Sequence, residues 1–421
     1  MNILWLSHFV PYPPKGGMLQ RSYNLLREAA KENRVFLLAM RQKAIHPMAE
    51  DVSEAVSHLG KLCEYVKVID NPWERHPIFW YYLVFYSIFT KKPYTVNWTT
   101  SGRMREKVQH ILNNEKIDLI HYDTVGLGEY VFGENGIPRA LNHHNIESDL
   151  MLRRAEKEGN PIKKLYYLME GKKLANYERS KCRLFQKNIT VAEVDSEVLC
   201  RLVPGLDISE IPNGVDIDYF KPQGIPIRKN RLVFAGSLNW YPNVKAVEYL
   251  CSEIWPLLKR AVPGAGLLIV GRNPSPEFIK KYNAVDGVEV LADVDDIRPY
   301  IEEAEVYVCP IRHSGGTKLK ILDALAMEKA IVAHPVACEG IDVRHEKNVL
   351  LAETTEKFVE AIVKLLGDAE LRVQLGKNGR QLVEEKYAYS FIGKKLNCLY
   401  EELLTYVCRQ RNEKGVSNIS R

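Results

Sequence analysis

The densest run of residues able to do chemistry is VYVCPIRHSGGTKLKILDALAM, Val306–Met327. An apolar stretch ends at Pro310, and Gly315-Gly316-Thr317 then open a helical pattern with Lys318 and Lys320 in its first turn. The unbonded N–H groups of a helix start attract anions, and glycine lets the backbone approach phosphate oxygens closely. Cations at a helix N-terminus oppose its dipole, at up to about 1 kcal/mol. A lysine–phosphate contact at about 4 Å returns roughly 4 kcal/mol at an intermediate dielectric. Two lysines here therefore make physical sense with an anion bound. Asp323 lies three residues after Lys320, on the same helical face. A carboxylate behind a phosphate site can accept hydrogen bonds from ribose hydroxyls, as in dinucleotide folds. The run lacks the Gly-Lys-Ser/Thr ending of a P-loop.

Such a site needs a strand and a helix to hold it, and the chain supplies both repeatedly. Apolar runs at Asn2–Leu6, Val35–Ala39, Glu64–Ile69, Ile117–His121, Arg139–Leu141 and Asn188–Val191 alternate with helical patterns such as Met18–Lys31. That alternation predicts a parallel sheet wrapped by helices. The pattern restarts with strands at Arg231–Ala235, Gly266–Val270, Val288–Leu291, Val306–Pro310 and Ala330–Ala333. Helices are predicted at Val244–Lys259, Asp295–Ala304, Lys318–Met327, Thr355–Leu366 and Phe391–Cys408. The fold class is α/β, with two doubly wound Rossmann-like domains facing across a cleft. The first domain spans residues 1–203, a linker 204–226, and the second domain 227–389. A helix over 390–408 is expected to cross back to the first domain, ahead of a polar tail, 409–421. Ligands of such sheets bind at the carboxyl ends of the strands.

Composition narrows the function classes. Of 421 residues, 46% are hydrophobic and 26% charged, which excludes wholesale disorder. The net charge of +5 is too small for a typical duplex binder, so no nucleic-acid partner is expected. The surplus is uneven: residues 1–203 hold 29 basic and 23 acidic side chains, so a large anionic partner should meet the first half. Within it, Met151–Lys187 carries eleven basic and four acidic residues. This reads as a solvated helical face or, more sharply, as attraction to an anionic membrane or a polyphosphate acceptor. His76–Trp98 is crowded with aromatics and too short to span a bilayer. We read it first as a helix packed on the core, and alternatively as one lying in a membrane interface. The eight cysteines form no Cys-x-x-Cys pair and no signal-peptide pattern opens the chain, which points to a cytoplasmic protein. Asp216-x-Asp218 and Asp293-x-Asp295 match a metal-binding string, but both sit in loops, and no metal or other cofactor is expected.

Taken together, several motifs resemble the retaining glycosyltransferases of family 4, of GT-B fold, and in particular their bacterial polysaccharide-type subgroup. The resemblance rests on the Gly-Gly-Thr-Lys-Leu-Lys-Ile-Leu-Asp run, PYPPKGGMLQRSYNLL, HHNIES, VAEVDSEVL, IPNGVDIDYF, FAGSLNWYPNVKAVEYL and ACEGI, in that family's order over most of the chain. It implies transfer of a sugar from a nucleoside diphosphate donor to a saccharide or lipid-linked acceptor, with retention. Gly16 and Gly17 would form a glycine loop facing the donor phosphate, with acceptor-binding Arg21 one turn on. Catalytic His144 would lie at a strand end near the reacting sugar. Ser237 and Asn243 would face the diphosphate. Gly315, Gly316 and Thr317 would line the phosphate loop, with Lys318 and Leu319 on the donor side. Lys320 would supply catalytic positive charge, and Asp323 would hold the ribose. The wider family's Glu-x7-Glu pair is replaced here by Gly315 and Asp323.

The implied mechanism stabilises charge on the departing nucleotide, usually the largest catalytic contribution. The helix start and lysines would take the place of a metal ion. The setting would be cell-surface or exopolysaccharide synthesis in the cytoplasm, with peripheral contact at the inner face of an anionic membrane. Two other readings compete: a non-catalytic partner that binds nucleotide sugar, and a nucleotide-sugar epimerase acting without acceptor.

Overall fold

The structure, a computed structural model, describes residues 1–14, 16–74, 76–132, 136–312 and 318–417. It divides into two compact units: Met1–Pro212 with Gly393–Arg421, and Asn213–Ile392.

The first unit is built on seven parallel strands: β1 (Asn2–Ser7), β2 (Arg34–Arg41), β3 (Tyr65–Asp70), β4 (Leu119–Tyr122), β5 (Arg139–Asn142), β6 (Lys187–Thr190) and β7 (Ile208–Glu210). Their order is β3-β2-β1-β4-β5-β6-β7. Ile3, Leu4, Trp5 and Leu6 are fully buried, so both faces of β1 lie under helices, the reason for its unbroken apolar run. Strand order reverses between β1 and β4, the switch point where such sheets open a crevice.

The second unit repeats the plan with six strands: β8 (Arg228–Ala235), β9 (Gly266–Gly271), β10 (Val288–Ala292), β11 (Ala304–Cys309), β12 (Ala330–Ala333) and β13 (Leu350–Leu351). Their order, β10-β9-β8-β11-β12-β13, places the reversal between β8 and β11. The expectation of two doubly wound parallel sheets holds.

The differences lie in detail. The segment read as a linker, 204–226, contains β7, a half-exposed edge strand too short to leave an apolar run. The expected helix Val244–Lys259 is in three parts: Tyr241–Tyr249, a π-turn at Leu250–Ile254, and Trp255–Ala261. Pro256 lacks an N–H, and the ladder widens there so that Trp255 N–H reaches Leu250 O. The helix expected at Asp295–Ala304 shrinks to Arg298–Glu302 because Ala304 already begins β11. A helix over Ala369–Lys386 follows Asp368, whose side chain accepts from Leu371 N. The last helix runs Tyr389–Ser417, and from residue 393 onward it belongs to the first unit. Gly393 lies against Glu28 so closely that an added Cβ would collide with the glutamate's Cβ.

Candidate functional site

In the first unit, the strand ends at the switch point converge on one carboxylate. Asp123 follows β4 and is fully buried. Its Oδ2 accepts from Ser22 Oγ at 2.5 Å and Ser7 Oγ at 3.4 Å. Its Oδ1 accepts from Asn142 Nδ2 at 3.0 Å and His144 Nε2 at 3.2 Å, with His121 Nε2 at 3.9 Å. Ser7 ends β1, Asn142 ends β5, and Ser22 sits on the helix Gly17–Glu32. Burial alone would push the Asp123 carboxyl up, but His144 and His121 outweigh it and hold it well below the usual carboxylate range. An ionised carboxylate only accepts, so His144 Nε2 carries a proton. The arrangement orients an imidazole, as an acid–base or sugar-contacting histidine requires.

The neighbouring histidines differ. His143 Nε2 pairs with Asn188 Oδ1 at 3.1 Å, and burial pushes its pKa down to about 4. His8 is likewise pushed down to about 4, and the rings of His8 and His144 lie 6.2 Å apart. Of the pair in HHNIES, His144 is the one aimed at the carboxylate. Arg21 is 1% exposed, its guanidinium donating to Asn142 Oδ1 at 2.9 Å and Pro212 O at 3.0 Å. The fold itself engages the fork expected to bind acceptor. Gly16, at φ 118°, precedes the helix, and its carbonyl accepts from Gln20 N; Gly17 is the first helical residue. A side chain at Gly16 would be strained.

In the second unit, the switch point assembles Lys320, Asn243 and Gly236. Lys320 Nζ donates to Asn243 Oδ1 at 2.6 Å and lies 4.5 Å from the Phe234 ring centroid. Asn243 in turn donates to the Ser237 carbonyl at 2.7 Å. A Cβ on Gly236 would overlap Lys320 Nζ, so glycine there makes room for the amine. Lys318 stands just before the helix Leu319–Ala326 and is 4% exposed. Leu319 packs into this unit's apolar core and anchors that helix. Burial lowers the pKa of Lys318 and takes Lys320 to about 8. Burial also raises Asp323 to about 8, against the pull of Lys320. Burial thus favours the protonated form of Asp323, which can donate as well as accept. Gly315, Gly316 and Thr317 lie outside the described residues.

Asp216 Oδ1 accepts from the N–H groups of Asp218 and Tyr219, and Asp293 Oδ1 accepts from Asn273 N. Among the described residues, no three His, Cys, Asp or Glu side chains are grouped to hold a metal ion. Sequence reading missed Asp123, Ser22, Asn142 and His121. The one signal was His121-Tyr-Asp123 directly after a buried run, two polar residues closing an apolar strand.

Two parallel sheets with these switch points define the class: a two-unit α/β protein of the GT-B fold. Residues 229–368, within the second unit, match the model of the family described as Glycosyl transferases group 1. Sucrose-phosphate synthase from Thermosynechococcus elongatus superposes with a TM-score of 0.66 over 96% of this chain and 100% of its own, at 17% identity. Anabaena Alr3699/HepE in complex with UDP superposes at 0.65, over 96% and 100%, at 14% identity. In sequence, 215 residues are 26% identical to a GDP-mannose-dependent alpha-(1-6)-phosphatidylinositol monomannoside mannosyltransferase of Mycobacterium tuberculosis. That match takes in 46% of this chain and spans about half, 55%, of the relative's length.

Proposed function

We propose that the chain moves a sugar from a nucleoside diphosphate donor to a saccharide or lipid-linked acceptor, with retention and without a divalent ion. The observation that carries this reading is the buried Lys320 ammonium, held by Asn243 at the switch point of the unit that matches the group 1 glycosyl transferase model. The mannosyltransferase relative uses GDP-mannose by name, and HepE binds UDP, so the donor class is supported while the base is left to measurement. Lys318 and Lys320 would neutralise the diphosphate as the glycosidic bond breaks. Protonated Asp323 would hydrogen-bond the ribose. His144, oriented by Asp123, would contact the reacting sugar or take the acceptor's proton. Retention would follow from acceptor attack on the face the nucleotide leaves. The setting is cell-surface or exopolysaccharide synthesis on the cytoplasmic side, at the inner face of an anionic membrane.

A thermal-shift panel of UDP-, GDP-, ADP- and CMP-sugars, followed by transfer assays with and without EDTA, tests the reading. One donor class should stabilise the chain and support transfer undiminished by EDTA. Loss of transfer in EDTA would refute metal independence. Binding without turnover on any acceptor would favour a non-catalytic partner, and a product formed without acceptor an epimerase.

A further inference from the structure

The helix Pro77–Phe89, PIFWYYLVFYSIF, is not packed on the core. Nine of its thirteen residues are large apolar side chains at least 40% exposed, Tyr81, Phe85 and Phe89 at 68, 63 and 74% among them. Among the described side chains of the helix only Leu83 and Ser87, one turn apart, are fully buried. That narrow stripe is firmly held. Asn97 Nδ2 donates to Ser87 Oγ at 3.0 Å, and Lys173 Nζ donates to the carbonyls of Ser87 and Ile88 at 2.6 and 3.2 Å. Outward-facing rings pack mainly on one another: Trp80 on Tyr81 and Phe85 on Phe89, each at 4.9 Å between centroids. Water would not sustain so large an apolar face on a monomer without a partner.

Charge around the helix indicates what that partner is. The helix contains no acidic residue. Lys173 ties it to the helix Pro161–Lys181, whose first turns expose Ile162 and Leu165, at 79 and 69%, beside exposed Lys163 and Lys164. Lys91 follows the aromatic helix and Lys172 precedes its tether; both are exposed. None of these four lysines has a carboxylate within ion-pair distance among the described residues. A lone helix with Trp and Tyr among apolar residues and cations beside it suits a bilayer interface. Among the described residues no helix is long and apolar enough to cross a membrane.

We propose that the helix Pro77–Phe89 lies in the interface of an anionic phospholipid membrane, with the lysines at its flank against the headgroups. The inference deepens the membrane setting proposed above by naming the segment that makes the contact, and it is tested without sugar transfer, so it can fail while the transferase reading stands. It is tested with the full chain, without donor, on vesicles of equal phosphatidylcholine and phosphatidylglycerol and on vesicles of phosphatidylcholine alone. The chain should sediment with the anionic vesicles, more weakly as salt rises. Trp80 emission, isolated by difference from Trp80→Phe, should shift to the blue. Replacing Phe85 and Phe89 together by Glu should weaken binding by about tenfold per ring removed. Lys163→Glu with Lys164→Glu should weaken binding to the anionic vesicles by about fivefold per cation and leave neutral-vesicle binding unchanged. All four side chains are exposed, so the melting temperature should hold. Absence of vesicle binding, equal binding by either double variant, or a dimer that the Phe85/Phe89 variant splits would overturn the proposal.

Discussion

Replacing Lys320 with methionine keeps an unbranched side chain of similar length and removes the ammonium, with its contact over the Phe234 ring. In the unliganded chain that ammonium is 2.6 Å from Asn243 Oδ1, and burial has brought its pKa down to about 8. The charge is therefore already costly to keep there, and its removal should leave the melting temperature unchanged or raised. With a diphosphate bound the balance reverses. The Coulomb ceiling is about 4 kcal/mol for charges 4 Å apart at an effective dielectric of 20. A charged hydrogen bond is worth about 1.5–3 kcal/mol net. We expect a loss of about 2 kcal/mol, or roughly thirtyfold in donor Kd. Titration calorimetry with the nucleotide sugar chosen by the thermal-shift panel measures it directly. Gly236→Ala gives an independent check, because the new Cβ would overlap Lys320 Nζ and stand 2.8 Å from Asn243 Nδ2. It should displace the amine and cost a similar amount. Donor affinity within about threefold of wild type in Lys320→Met, at an unchanged melting temperature, would refute the phosphate role of this lysine.

Two further expectations concern acid–base state. Asp123→Asn keeps an oxygen to accept from His144 Nε2 and Asn142 Nδ2 but removes the negative charge that polarises the imidazole; kcat should fall roughly a hundredfold while donor Kd stays the same. A matched loss in donor affinity would instead place Asp123 in the binding of the nucleotide. Burial sets both Asp323 and Lys320 near pH 8, raising the acid and lowering the base. Below that pH the pair carries a positive charge; above it, loss of two protons turns the pair negative. Diphosphate affinity should thus decline as pH rises through about 8, and Lys320→Met should flatten the profile. A flat wild-type profile from pH 6 to 9, judged by calorimetry, would contradict this.

The buried strands were legible because parallel sheets covered on both faces demand unbroken apolar runs, and Ile3–Leu6 and Leu267–Val270 are such runs. Strands β7 and β13 were not: one is a half-exposed edge, the other two residues long. Lys318, Lys320 and Asp323 were readable as a group because they share one helix, where spacing stands in for distance. Asp123 could not be found that way. Its partners Ser7, Ser22, Asn142 and His144 lie up to 116 residues away, and each is an ordinary polar residue until the strand ends meet.

The sequence by itself determined the alternation of strands and helices, the repetition of that unit, and the helix-borne lysines beside an aspartate, since these depend on neighbours along the chain. Tertiary structure alone decided which histidine meets Asp123, that Arg21 is turned inward onto Asn142, and that the aromatic helix faces outward rather than into the core. The physical reason is common to all three. An apolar or ionisable side chain carries the same chemistry in any environment, and only the packing of distant segments sets whether water, a carboxylate or another side chain stands against it.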